Sequence, residues 1–175
     1  MTSYILGGGC FWCLDGVYTQ LSGVTMVESG YAGGDGPADY WRVVSGRTGH
    51  AEVTRVTFDE SIIPTDVILD IFFLIHDPTS LNRQGADEGT QYRSTMMYTD
   101  SDQHTAFQQA LARAQTVWPR PVVTEIVPIK QFHIAEQEHQ DFYANNPLAG
   151  YCQIVIDPKI AKARAQYSQW FATTK

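Results

Sequence analysis

Gly7-Gly8-Gly9-Cys10-Phe11-Trp12-Cys13 follows the apolar run Tyr4-Ile5-Leu6 and leads into Phe11, Leu14, Val17, Tyr18 and Leu21, which recur at helical spacing. The pattern predicts a strand that ends in three glycines and a helix whose first turn carries a cysteine. Glycine permits φ > 0 and lets another segment or a ligand approach the backbone closely. A helix start offers unpaired N–H groups and the positive end of the helix dipole, and both favour a thiolate. Phe11 and Trp12 sit beside the sulfur. The stretch reads as a reactive cysteine with an apolar pocket wall attached.

Outward from it, Gly23 ends the first helix and Val24 to Tyr31 reads as a strand closed by Ala32-Gly33-Gly34-Asp35-Gly36-Pro37. Asp39 to Val44 is a short helical segment and Ser45 to Gly49 a turn. His50 to Phe58 is strand-like, with Val53 and Val56 on opposite faces, so both faces are covered or a bulge intervenes. Pro64 suits the first turn of a helix with the stripe Val67, Ile68, Ile71, Phe72 and Ile75, stopped at His76-Asp77-Pro78. Thr79 to Arg93 shows no period and reads as a long ordered loop, a type of segment that tends to be functional. Met96 to Tyr98 is a strand. Ser101-Asp102 can cap a helix with Phe107, Ala110, Leu111 and Ala114 on its stripe. Val122 to Val127 is a strand, Ile134 to Tyr143 a helix, Gln153 to Ile156 a short apolar run, and Lys159 to Phe171 a last amphipathic helix.

This β-α-β-β-α-β order suits an α+β class, a ferredoxin-like mixed or antiparallel sheet with helices packed on it. With 175 residues, one domain over 1–175 is expected, its core about 4–156 and its C-terminal helix about 158–171. The formal net charge of −7 comes without a basic cluster, which argues against nucleic acid as partner. No apolar run has the ~20 residues of a membrane span. Met1-Thr2-Ser3 has no charged region of the kind that opens a signal peptide. A cytoplasmic monomer is the expectation.

The three cysteines, Cys10, Cys13 and Cys152, are too few and odd in number for a disulfide framework. Zinc on Cys10 and Cys13 lacks two further ligands at a suitable spacing, so neither metal nor cofactor is expected. Cys10 is the candidate nucleophile. Cys13, one helical turn on, is a resolving partner or a small buried residue, and Cys152 a core residue or a resolving thiol at a loop edge. Glu52, in Gly49-His50-Ala51-Glu52, is a solvated edge residue or a partly buried carboxyl with a raised pKa. Asp87 and Tyr92 supply a carboxyl and a phenol from the long loop. Tyr40 read alone is a packing residue, and His139 read alone a surface one.

Together these segments resemble a family. GGGCFWC, GYAGG at 30–34, GHAE at 49–52, HDPTSLNRQGAD at 76–87, GTQYRS at 89–94 and HQDFY at 139–143 closely resemble the A-type peptide methionine sulfoxide reductases, from Tyr4 to about Ile156. The resemblance implies a ferredoxin-like domain that reduces the S epimer of methionine sulfoxide, free or in peptides. It implies Cys10 as attacking thiol, Phe11 and Trp12 as the wall of the methyl pocket with Gly9 and His139 beside it, and Glu52 as the acid at the sulfoxide oxygen. Tyr40 and Tyr92 become phenol donors, and Asp87 a supporting carboxyl. Cys152 matches the family's usual resolving position, and a thioredoxin-type dithiol the usual reductant. Two departures stand out. Position 13 is commonly glycine in the family, and the second cysteine that many members carry in a glycine-rich tail is missing.

The chemistry asks for such a set. Thiolate attack on sulfoxide sulfur becomes productive only if the oxygen is protonated as charge builds on it. A helix start lowers a thiol pKa by roughly one unit, whereas an ionised Glu52 nearby would raise it. The resting site is therefore expected to hold one shared proton or two rather than a preformed thiolate beside a carboxylate. Attack yields methionine and a sulfenic acid on Cys10, which a second thiol converts to a disulfide. Cys152 is favoured for that step, Cys13 is nearer in sequence, and a relay through both is open. Two rival readings remain, a thiol-disulfide oxidoreductase built on Cys10-Phe11-Trp12-Cys13 and a module that binds oxidised methionine without turnover.

Overall fold

The computed structural model describes residues 1–172; the last three residues of the expected domain lie outside them. The elements are β1 (Thr2–Gly7), α1 (Phe11–Tyr18), β2 (Val24–Ala32), α2 (Tyr40–Val44), β3 (Ala51–Phe58), α3 (Thr65–Leu74), β4 (Arg83–Gln84), β5 (Asp87–Glu88) and β6 (Thr95–Tyr98). After them come α4 (Ser101–Val117), β7 (Glu125–Pro128), β8 (His133–Ile134), α5 (Phe142–Asn145) and α6 (Asp157–Tyr167). One mixed sheet runs in the order β7-β6-β1-β3-β2-β8. The middle pairs, β6 with β1, β1 with β3 and β3 with β2, are all antiparallel, and only β7 on β6 is parallel. Because β1 and β2 both oppose β3, they run the same way, and α1 carries the chain between them.

Side chains alternate across the strands with a period of two. Tyr4, Leu6, Tyr31, Val56, Phe58 and Met96 join the main core with residues of α1, α3, α4 and α6. Ile5, Ala32, Ala51, Val53 and Met97 face the other way, under Val127, Ile129 and Phe132. Val53 and Val56 thus point to opposite faces because both faces are covered, and the irregularity between β2 and β3 falls at Val24/Met26. Arg55 clamps the second layer, pairing with Glu28 at 2.7 Å and lying over the Phe132 ring. The α+β class expected from the sequence holds.

Several local expectations need correction. The segment Ile134 to Tyr143 is not one helix. It runs as β8, a 3₁₀ turn at Gln137–His139, and α5 after Asp141, whose φ of 51° is left-handed. Two of its polar side chains bond to other segments. Gln140 exchanges hydrogen bonds with both Ser29 main-chain groups, and Glu136 accepts from the Tyr40 N–H and the Tyr31 hydroxyl. The loop 79–93 contains a two-residue hairpin, β4 with β5, and a 3₁₀ turn at Thr90–Tyr92. Asp100, not Ser101 or Asp102, caps α4 by accepting from the Gln103 N–H. The strand expected from Val122 begins at Glu125, and the apolar run 153–156 is part of a π-helical turn, Cys152–Ile156, that continues into α6.

Candidate active site

Cys10 is the N-cap of α1, with φ −63° and ψ 130°, and its carbonyl accepts the Cys13 N–H at 3.1 Å. Two of the preceding glycines have a clear steric reason. A Cβ on Gly8 would stand 2.9 Å from the His76 ring, and Gly9, at φ +89°, would carry one 2.9 Å from Gln84. His76 is itself buried, between the Phe72 carbonyl and the Ser94 hydroxyl at 2.7 Å, and burial pushes its pKa down to about 3. A neutral imidazole therefore forms the wall against which the glycine turn closes.

Glu52 arrives from β3, only 2% exposed, and its Oε1 accepts the Phe11 N–H at 3.1 Å. Burial raises its pKa to about 8, the Phe11 N–H pulling the other way and Asp87 adding to the rise. The Cys10 thiol is pushed well above its ordinary value, by burial first and by Glu52 second. Both shifts favour the protonated forms. The other titratable group of that motif, His50, has a different task. Its Nδ1 accepts the Gly34 N–H at 3.1 Å and its Nε2 meets the Gly36 carbonyl at 3.0 Å, which pins the turn ahead of α2.

The aromatic groups converge on the same helix start. Trp12 stacks on Phe142 at 3.6 Å between centroids, and Phe11 packs on Tyr31 at 5.6 Å and on His139 at 5.3 Å. Tyr40 lies over His139 at 4.8 Å. The Trp12 indole N–H donates to His139 Nδ1 at 3.2 Å. An indole only donates, so Nδ1 is bare and the neutral ring carries its proton on Nε2. That nitrogen lies 3.9 Å from Glu136 and 4.0 Å from Glu138. A metal ion on Nε2 would displace this proton and leave the Trp12 bond facing an N–H, so these three residues do not suit a cation.

Asp87 presents its Oδ2 to the Tyr151 hydroxyl at 3.0 Å, and the Tyr151 oxygen lies 3.5 Å from Cys13 Sγ. Burial and the thiols Cys10 and Cys13 raise the Tyr151 phenol, and burial followed by Glu52 raises that of Tyr92. A cavity of 550 Å³ opens on Gly9, Cys10, Cys13, Asp87 and Tyr151, with Lys159 and Lys162 on its wall. Cys152 is fully buried, and both it and Cys10 have Cys13 as an electrostatic neighbour.

Every residue singled out in the sequence lies in or against this region. Cys10, Phe11, Trp12, Glu52 and His139 meet at the start of α1. Tyr40, Tyr92 and Asp87 surround Glu52 electrostatically. Two single-residue readings fail, since His139 is buried rather than on the surface and Glu52 is no solvated edge residue. Sequence reasoning missed Tyr151, Phe142 and Glu136. Tyr151 adjoins Cys152 and Phe142 lies within HQDFY, whereas Glu136 carried no local signal.

Comparison with known proteins gives a consistent result. The family model described as peptide methionine sulfoxide reductase matches residues 2–171. The chain is 58% identical over 171 residues to the peptide methionine sulfoxide reductase MsrA of Pseudarthrobacter chlorophenolicus, covering 97% of this chain and 98% of that protein. Its structure is similar to reduced Mxr1 from Saccharomyces cerevisiae, with TM-score 0.81, 34% identity and coverage of 86% and 88% of the two chains. Mxr1 has also been solved in complex with Trx2. Methionine sulfoxide reductase A of Corynebacterium diphtheriae matches with TM-score 0.77, 30% identity and coverage of 87% and 77%.

Proposed function

Because this chain belongs to the peptide methionine sulfoxide reductase family, we propose that Cys10 attacks the sulfur of methionine-S-sulfoxide, free or peptide-bound, while Glu52 protonates the departing oxygen. The observation that carries this reading is the placement of Cys10 and Glu52 together at the start of α1, both buried, with Glu52 accepting the N–H of the residue after Cys10. Glu52 gives its proton to the sulfoxide oxygen as the Cys10 sulfur bonds to the substrate sulfur, and the thiol proton replaces it. The hydroxyl then passes from the substrate sulfur to the Cys10 sulfur, the S–S bond and the substrate S–O bond breaking as the Cys10 S–O bond forms, so that methionine leaves and Cys10, now a sulfenic acid, is oxidised by two electrons. Tyr40 and Tyr92, with raised phenol pKa values, act as further donors to that oxygen. Phe11 and Trp12 enclose the methyl group, worth about 0.8 kcal/mol per buried carbon. Recognition of sulfoxide over sulfide therefore rests on the donors, which a sulfide leaves unpaired.

Resetting the enzyme uses a second thiol. Sulfenic Cys10 and a cysteine thiol combine to a disulfide and water. Cys13 adjoins Cys10 on one helical turn and Cys152 has Cys13 as an electrostatic neighbour, which supports a relay in which the disulfide starts at Cys10–Cys13 and passes to Cys152 by exchange. This gives Cys13 more weight than the sequence alone did. A thioredoxin-type dithiol takes the disulfide in turn. The same reading has the protein act as a monomer in the cytoplasm, repairing oxidised methionine.

The test is direct. With dithiothreitol and free methionine-S-sulfoxide, the protein produces methionine and Cys10→Ser does not. Reduction of protein disulfides with no sulfoxide consumed would favour a thiol-disulfide oxidoreductase instead.

A further inference from the structure

One large aromatic side chain stands in the open next to Tyr40. Trp41 on α2 is 78% exposed, and its ring meets that of Tyr40 edge-on at 5.2 Å between centroids. Tyr40 lies 4.8 Å from His139, which lies 5.3 Å from Phe11 and 5.7 Å from Trp12. A run of aromatic contacts thus leads from the buried Phe11 at the start of α1 out to solvent, with Trp41 as its outermost member.

A single exposed apolar residue needs no explanation by itself. Trp41 differs in how its short helix is held. The Asp39 side chain caps α2 by accepting the Arg42 N–H at 3.0 Å, and the Tyr40 N–H donates to Glu136 at 3.1 Å. Gln91 donates to the Val44 carbonyl at 3.4 Å, tying the far end of α2 to the loop that carries Tyr92. The indole is therefore presented on a backbone held at both ends by hydrogen bonds. A preset aromatic ring offers much contact area for little entropy lost on binding.

We propose that Trp41 is a specificity-determining residue, packing against an apolar side chain that flanks methionine sulfoxide in an extended peptide. The inference rests on the reductase reading above and adds to it the class of peptide preferred. An extended chain advances ~3.3 Å per residue, so a neighbour one or two positions from the sulfoxide spans the 5.2 Å step from the Tyr40 ring to the Trp41 ring. Free methionine sulfoxide has no atoms to place there. The charges beside Trp41 pair with each other, Arg42 with Asp39 at 3.2 Å, which favours an apolar flank over a charged one.

The test compares three substrates: free methionine-S-sulfoxide, and two blocked peptides of equal length carrying it between leucines or between glycines. The proteins are wild type, Trp41→Ala, and the control Ile62→Ala. Ile62 is 55% exposed and packs beside Gly23, at the opposite end of β2 from the pocket residue Tyr31. Wild type should show kcat/KM about tenfold higher for the leucine-flanked peptide than for the glycine-flanked one, a size common for a well-placed aromatic contact. Trp41→Ala should erase that preference through KM and leave the free substrate unchanged, whereas Ile62→Ala should behave as wild type. The inference is overturned if wild type shows no leucine preference, if Trp41→Ala retains it, or if Trp41→Ala slows free and peptide substrates alike. A wild-type protein that reduces none of the three overturns the reductase reading itself.

Discussion

The Phe11 main-chain N–H donates to Glu52 Oε1 at 3.1 Å, which ties the acid to the residue after the nucleophile. Cys10 and Glu52 come from β-strand ends far apart in sequence, and this bond sets their spacing. It uses one of the N–H groups that a helix start leaves unpaired, so the dipole is directed at the acid as well as at the sulfur. Burial outweighs that help for Glu52, whose pKa rises to about 8.

Activity should follow that proton. Glu52 donates only in its neutral form, so kcat/KM is expected to fall above about pH 8, approaching tenfold per unit, even as the thiol becomes easier to ionise. Glu52→Gln should lose about 10²- to 10⁴-fold in rate, the usual worth of a positioned general acid, and should lack the alkaline limb. Steady-state rates from pH 5 to pH 10 check both expectations.

The same carboxyl should weaken the fold at alkaline pH. Between 4.5 and about 8 the folded protein keeps a proton on Glu52 that the unfolded chain has released. Stability from this group therefore falls as pH rises through that window. Glu52→Gln, which retains the acceptor for the Phe11 N–H, should match wild type near pH 4 and exceed it at pH 9. A gain of 1 kcal/mol corresponds to about 2–4 °C in Tm for a domain of this size, well within reach of thermal denaturation.

The cysteines should separate by the order of their oxidation. After one equivalent of sulfoxide without reductant, Cys152→Ser should contain a Cys10–Cys13 disulfide by peptide mass spectrometry. Cys13→Ser should accumulate a sulfenic acid on Cys10 that a carbon nucleophile traps. A Cys10–Cys152 disulfide forming in Cys13→Ser as fast as wild type loses its thiols would remove Cys13 from the pathway.

Gly34 should tolerate no side chain. A Cβ there would lie 2.2 Å from the His50 nitrogen and 2.3 Å from the Thr48 oxygen, both main-chain atoms that cannot swing aside. Gly34→Ala is expected to destabilise the protein by about 3 kcal/mol, measured by denaturant titration. Its activity should fall as well, because this turn leads directly into α2 and Tyr40.

The parts of this architecture visible in the sequence are those encoded locally. The strand, glycine turn and helix around Cys10 follow from composition over a dozen residues, whereas for β3 the sequence left covered faces and a bulge as alternatives. The segment 134–143 misleads because its apolar spacing resembles a helix while its polar residues serve other segments. Gln140 completes the hydrogen bonding of Ser29, and Glu136 that of Tyr31 and Tyr40. No local pattern announces a side chain whose partners lie about a hundred positions away. Tyr151 escaped for the same reason, since its meaning comes from Asp87 and Cys13. Glu52 was legible as a candidate, but its burial needed the fold.

The central claim is that the Cys10 sulfur takes the oxygen. Wild-type protein, reduced, freed of small thiols and mixed with one equivalent of methionine-S-sulfoxide, should release one methionine per chain and lose two titratable thiols. Cys10→Ser should release none and keep both of its remaining thiols. A burst of methionine from Cys10→Ser would contradict the account outright.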